Sequence, residues 1–173
     1  DNAGNLSDPK NSSFIVDVTP PVVVFNNKPP AVSSNQNVQF TYTATDSSPI
    51  KSYNCSLNGA AYATCPSPRN MNLPDGSHNF AVTATDQAGN TSAPITHSFQ
   101  IDNEAPTVTI TKHPSQYSNS PTGVFEFIGM DGTVPITKFE CSMNGTNYSS
   151  CSSPYTTPNL GTGTKTFYVR GYD

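Results

Sequence analysis

Cys55-Ser56-Leu57-Asn58-Gly59, closed by Cys65-Pro66-Ser67-Pro68, returns later as Cys141-Ser142-Met143-Asn144-Gly145, closed by Cys151-Ser152-Ser153-Pro154. Asn-Gly is the strongest short hairpin signal, because both residues tolerate positive φ. Each Asn-Gly lies between the cysteines of its own pair, so a disulfide would pin the two arms across the turn. The chain has four cysteines, and each pair has nine residues between its members. Metal binding is the alternative, but neither pair has a second ligand cluster, and His78, His97 and His113 do not repeat. The reading is therefore two local disulfides, Cys55–Cys65 and Cys141–Cys151. A loop this short contributes somewhat under ~3 kcal/mol on the chain-entropy model. Such bonds place the protein outside the reducing cytosol, at a cell surface, in a periplasm or in secretion.

The repetition extends outward from the cysteines. Asp1-Asn2-Ala3-Gly4-Asn5 recurs as Asp86-Gln87-Ala88-Gly89-Asn90. Phe14, Asp17, Pro21, Phe40 and Asp46 recur 85 positions on as Phe99, Asp102, Pro106, Phe125 and Asp131. Phe80, Val82 and Asp86 recur 87 positions on as Phe167, Val169 and Asp173. Self-similarity at a fixed period outranks local signals, because it means an array of like units.

Within one unit the apolar residues alternate. Val22–Phe25 reads as a strand entered through prolines. Val38, Phe40, Tyr42 and Ala44 share one face of the next, with Phe125, Phe127 and Gly129 as their counterparts. Ile50–Cys55, the return arm of its hairpin carrying Tyr62, a short strand near Asn70–Leu73, His78–Thr85 and Ile95–Ile101 follow. Turns fall at Asp46–Pro49, Pro74-Asp75-Gly76 and Asp86–Asn90. About seven strands in about 85 residues is the count of an immunoglobulin-like sandwich. The staple differs from antibody domains, since it closes a hairpin instead of bridging the sheets. The fold class is all-β, two tandem immunoglobulin-like β-sandwiches, with residues 18–103 as the first and 104–173 as the second.

The cysteine motif, together with the run Leu73-Pro74-Asp75-Gly76 to Asp86-Gln87-Ala88-Gly89-Asn90, resembles bacterial and archaeal immunoglobulin-like surface repeats. It is similar, more loosely, to hyalin-type repeats. That resemblance implies stalks, adhesive arrays or filament parts of surface or secreted proteins. The second copy departs from it at Leu160-Gly161-Thr162-Gly163, where Asp75 has no counterpart.

Residues 1–17 read as an orphan closing strand. Ser7–Asp17 matches Ser92–Asp102, while the second copy has no counterpart of that strand within residues 104–173. Two explanations stand side by side. The sequence is an excerpt of a longer array, or Ser7–Asp17 is a donor strand that completes the second unit of another copy. In the donor reading Phe14 and Val16 face in and Ile15 faces out. Donation from head to tail repeats without closing and makes filaments.

Net charge is −4, so nucleic acid is an unsuitable partner. No apolar run approaches the ~20 residues of a membrane span. The partners expected are copies of the chain, neighbouring repeats, or a host or surface ligand. No catalytic motif occurs, and the expectation is that the chain is not an enzyme. No cofactor is required on this reading. Calcium is the ion the acidic positions would suit, with Asp102, Glu104 and Asp131 as ligands and Asp46 and Asp86 likewise on loops at strand ends; the other reading of these residues is aspartates that start turns. Six Asn-x-Ser/Thr sequons, at Asn5, Asn11, Asn54, Asn90, Asn144 and Asn147, are glycosylation candidates. The alternative function is a ligand- or carbohydrate-binding module centred on Gln116–Gly123, with Tyr117 and Tyr155 as sugar contacts.

Overall fold

The structure is a computed structural model, and it describes residues 3–132 and 134–173. Asp1 and Asn2, which open the Asp1–Asn5 repeat and the 1–17 segment, lie outside the described residues. Among the described residues every regular element is a β-strand. Two compact units form: one of residues up to Ala31 with Asn37–Leu73 and Ser77–Phe99, the other of Val32–Gln36, Pro74–Gly76 and Gln100–Asp173.

The first repeat supplies β1 (Val22–Asn27), β2 (Val32–Ser33), β3 (Asn37–Thr45), β4 (Ile50–Leu57), β5 (Ala63–Thr64), β6 (Arg69–Asn72), β7 (Gly76–Asp86) and β8 (Ile95–Ile101). One sheet has the order β1-β3-β6, the other β2-β8-β7-β4-β5. Period-two alternation in β3 sends Val38, Phe40 and Tyr42 to one buried face. Opposite them, Phe80 of β7 and Phe99 of β8 come within 4.2 Å and 5.6 Å of the Phe40 ring, centre to centre. Three phenylalanines from two sheets therefore form a sandwich-like core, each stabilising by roughly 1.5–3 kcal/mol through burial. The extra strand over the seven expected is β2, which pairs in parallel with β8 (Val32 with Gln100, Ser33 with Ile101). Two residues are too few to show a period.

The second repeat supplies β9 (Thr107–Lys112), β10 (Val124–Met130), β11 (Lys138–Ser142), β12 (Ser149–Cys151), β13 (Tyr155–Thr156) and β14 (Tyr168–Tyr172). Its sheets have the orders β13-β10-β9 and β12-β11-β14. Phe127 is its buried centre, 5.2 Å from Phe139 and 6.1 Å from Phe167.

Local details recur in both copies. The disulfides are Cys55–Cys65 and Cys141–Cys151, each with Cα atoms 5.8 Å apart, inside the usual range. Asn58 and Gly59 both have positive φ, as the turn between the first pair demands. The Ser67 hydroxyl accepts the Tyr42 amide at 3.0 Å, and Ser153 accepts the Phe127 amide at 2.9 Å. The Tyr42 hydroxyl, lying against both first-repeat sulfurs, donates to the Pro66 carbonyl at 2.9 Å. Burial pushes the titration of that hydroxyl upward.

Candidate functional site

The copies differ most beside their last common strand. In the first, β7 runs for 11 residues with β4 on one side and β8 on the other. Its counterpart β14 runs for 5 residues and, among the described residues, has only β11 beside it. An open edge exposes a row of backbone donors and acceptors.

A cleft of about 990 Å³ opens in the second repeat at this place, walled by the loop of residues 113–123 and the segment 160–166. This is the scale of ligand pockets. Its apolar lining includes Ile110, Phe125, Met143 and Phe167. By repeat position these correspond to Phe25, Phe40, Leu57 and Phe80. In the first repeat β8 covers that ground. Phe99 and His97 lie 5.6 Å and 6.0 Å from the Phe40 ring, and His97 lies 6.4 Å from Phe25. In the second, Phe125 stacks on Phe167 at 4.1 Å and the place taken by Phe99 is part of the cleft. The loop is fixed from below. The Thr157 amide donates to Gly123 O, the Gly123 amide donates to the Thr157 hydroxyl, both at 2.9 Å, and the Leu160 amide donates to Pro121 O at 2.7 Å.

The segment expected to donate a strand lies outside any strand. Phe14 is 84%, Ile15 91% and Val16 75% exposed, whereas Phe99 and Ile101, the repeat counterparts of Phe14 and Val16, are 4% and 0% exposed. The same sequence pattern is buried in one setting and bare in the other.

Two carboxylate clusters form, Asp17-Asp46-Asp86 and Asp102-Asp131-Asp173, each with ligand-type atoms within 4.8 Å of one another. The second contains Asp102 and Asp131 of the expected calcium set. Glu104 is exposed and outside it, with its amide donating to Asp102 Oδ1 at 3.3 Å. Asp173 takes the third place. The matching offsets of the three aspartates carried that signal in the sequence. Three carboxylates are hard oxygen donors of the kind calcium takes. In the first cluster much of the oxygen capacity serves loop hydrogen bonds. Asp86, fully buried, accepts the Gly89 and Asn90 amides at 2.7 Å and 2.8 Å and the Asn90 side chain at 2.9 Å. Asp17 accepts from the Ser48 and Ser47 hydroxyls and from the Thr19 amide and hydroxyl. The Ser48 bond, then those from Thr19, hold its carboxyl well below the ordinary range.

The sequons separate by environment. Asn5, Asn11, Asn144 and Asn147 are exposed. Asn54 lies within β4, and the Asn90 amide group donates to Asp17 O and Asp86 Oδ2. Of the proposed sugar contacts, Tyr117 is 88% exposed. Tyr155 is half-buried and stacks on Phe167 at 5.4 Å, so it is not the open platform expected of it.

Sequence reading missed a charged cluster on the β11–β14 sheet. Glu140 accepts from Lys138 at 2.5 Å, Arg170 at 2.7 Å and the Tyr172 hydroxyl at 2.9 Å. Arg170 also lies 4.1 Å from the Tyr148 ring centre. Hydrogen bonds from Lys138, then Arg170 and Tyr172, lower the Glu140 pKa to about 2. The first repeat has Asn54, Ser52, Thr83 and Thr85 at these four positions. Lys138 and Glu140 lie two apart on β11, Arg170 and Tyr172 two apart on β14, and the β11–β14 register brings the two pairs together.

No family model matches the chain, and no curated protein does. A solved structure that it resembles is a chitinase from Bacillus thuringiensis, at 21% identity and a TM-score of 0.40, over 92% of this chain and 28% of that one. The chain thus spans under a third of the length of that protein. The finding corrects the expectation that the chain is not an enzyme: the neighbour is a chitinase, and the exclusion is withdrawn. At that TM-score the likeness assigns no activity to this chain. Among the described residues no helix is long and apolar enough to cross a membrane. The two disulfides fit an oxidising, extracellular environment.

Proposed function

We propose that this chain is a structural repeat of an extracellular fibre or adhesin, built of immunoglobulin-like units. The supporting observation is that both repeats carry the same hairpin disulfide and matching sheets, β1-β3-β6 with β9-β10-β13 and β7-β4-β5 with β14-β11-β12. A like unit that recurs along a chain, with its hairpin stapled, suits a mechanical role.

Pulling the full chain by its ends should unfold it in one step per repeat, and each step should lengthen on reduction, because the residues between Cys55 and Cys65 and between Cys141 and Cys151 are then released. Steps that do not separate by repeat, or hydrolysis of a polysaccharide by the chain, defeat the proposal. A second reading, a carbohydrate-binding module, draws on exposed Tyr117 beside the cleft. Saturable glycan binding that Tyr117→Ala abolishes would favour it.

A further inference from the structure

We infer that His78 is a proton-sensitive latch on the disulfide hairpin of the first repeat: as a neutral imidazole it holds the Asn58-Gly59 turn against β7, and in acid it lets that turn go. The Asn58 side chain bridges two groups. Its Oδ1 accepts the Asn79 amide at 2.9 Å, and its Nδ2 lies 3.1 Å from His78 Nδ1. A backbone N–H can only donate, which fixes the carboxamide with its oxygen toward Asn79. The Nδ2 group also only donates, so His78 Nδ1 is the acceptor and the ring proton sits on Nε2.

A second ring proton leaves this arrangement without a solution. Protonated Nδ1 would face the Asn58 NH2 group, donor against donor. Turning the carboxamide over would answer the imidazolium but set the NH2 group against the Asn79 amide. Either way one bond of the latch is lost, and His78 is buried at 7% exposure with its ring 5.6 Å from that of Phe99. The latch is therefore closed above the range in which an imidazole takes a proton, about pH 6–7, and opens as pH falls through it. What it holds is a demanding turn. Asn58 has φ 53 and Gly59 φ 77, inside the loop closed by Cys55–Cys65. Asparagine tolerates that region because its side chain can hydrogen-bond nearby.

The charges around His78 do not change this outcome. His97, two residues before Phe99 on β8, has Nε2 2.9 Å from the Pro29 carbonyl, to which it donates in either protonation state. Asp75 precedes β7, and its Oδ1 accepts from Gln36 Nε2 and the Asn103 amide. Asp102 follows β8, and its Oδ1 accepts the Glu104 amide. Lys28 after β1, Lys51 and Tyr62 of the hairpin and Arg69 of β6 are exposed. A nearby carboxylate would favour the charged ring, yet it removes neither of the two donors that meet at Asn58. The second hairpin is built without the latch. Asn144 Oδ1 accepts the Thr146 and Asn147 amides and the Ser142 hydroxyl within its own turn, and the residue matching His78 is Lys165. Acid thus loosens one hairpin and spares the other.

The test uses the full-length chain. Nitrogen NMR of the imidazoles at about pH 7.5 should show His78 protonated at Nε2 alone. Amide exchange, divided by the intrinsic rate at each pH, should speed up roughly tenfold or more at Asn79 between about pH 7.5 and about pH 5. Exchange at Thr146 and Asn147 should change by less than about twofold. Asn58→Asp should cancel the response, since a carboxylate accepts from the Asn79 amide and from protonated Nδ1 together, and aspartate suits the same turn. An Nδ1–H tautomer at neutral pH, unchanged protection of Asn79 in acid, or the same acceleration in Asn58→Asp would overturn the latch.

Discussion

The two repeats share the sheet orders β1-β3-β6 and β7-β4-β5, a disulfide, a serine-capped loop and an aspartate cluster, yet their cores are unequal. In the first, Phe40, Phe80 and Phe99 are at most 4% exposed. In the second, Phe127 is equally deep, but Phe125 and Phe167 are half-buried and Ile128 is 51% exposed. One strand makes the difference. A sheet-on-sheet core needs residues from both inner faces, and β8 places Phe99 and His97 where the second repeat has a cleft. The depth of Phe40 in the first repeat thus depends on its contact with β8.

The largest expected break in the comparison is at its paired phenylalanines. Phe80→Ala should cost about 3–5 kcal/mol, the usual range for a buried aromatic. Phe167→Ala should cost less than half of that, because its ring already borders open space. Urea unfolding of the full chain, followed by amide signals from each repeat, measures both. Equal losses would mean that the second core is as tight as the first. Next come the staples. Cys55→Ser with Cys65→Ser, or Cys141→Ser with Cys151→Ser, should each cost about 2–3 kcal/mol in the repeat that carries them. Here the copies should agree, since both loops have the same length.

A smaller effect is expected at the turn. Gly59→Ala places a side chain at φ +77 in open space, so backbone strain alone should cost about 1–2 kcal/mol. Gly145→Ala adds a contact 3.1 Å from the Tyr168 ring and should cost more. The smallest effect is in pH dependence. Glu140 titrates near 2 when folded, below its ordinary 4.5. Its contribution is therefore fully present above about pH 4.5 and is lost as pH falls toward 2. Glu140→Gln should flatten the acid limb of the melting temperature for the second repeat. The first has Asn54 at that position and should not respond to an Asn54→Gln change.

Much of the fold was legible along the chain. Alternation in Val38-Gln39-Phe40-Thr41-Tyr42 forecast the inner face of β3, because a strand sends every second side chain the same way. Asn58-Gly59 between two cysteines forecast the stapled turn. The strand β2 was not legible, for Val32-Ser33 is extended only because β8 lies beside it. The acid site was half legible. Asp102 and Asp131 were singled out, and Asp46 and Asp86 were noted at strand ends, while Asp17 and Asp173 join their clusters only where distant loop ends converge. The Glu140 network was invisible for a related reason. Lys138 and Glu140 alternate on one strand, Arg170 and Tyr172 on another, and the two pairs meet only through strand pairing.

The sequence by itself determined that the chain is β-rich, that it repeats, and which cysteines close each loop. Those properties depend on neighbours along the backbone, or on a pattern recurring at fixed spacing. Tertiary structure alone decided which carboxylates meet and how deeply each aromatic ring of a repeat is buried. Burial depends on what lies across the sheet, and a residue carries no record of that in its immediate neighbours.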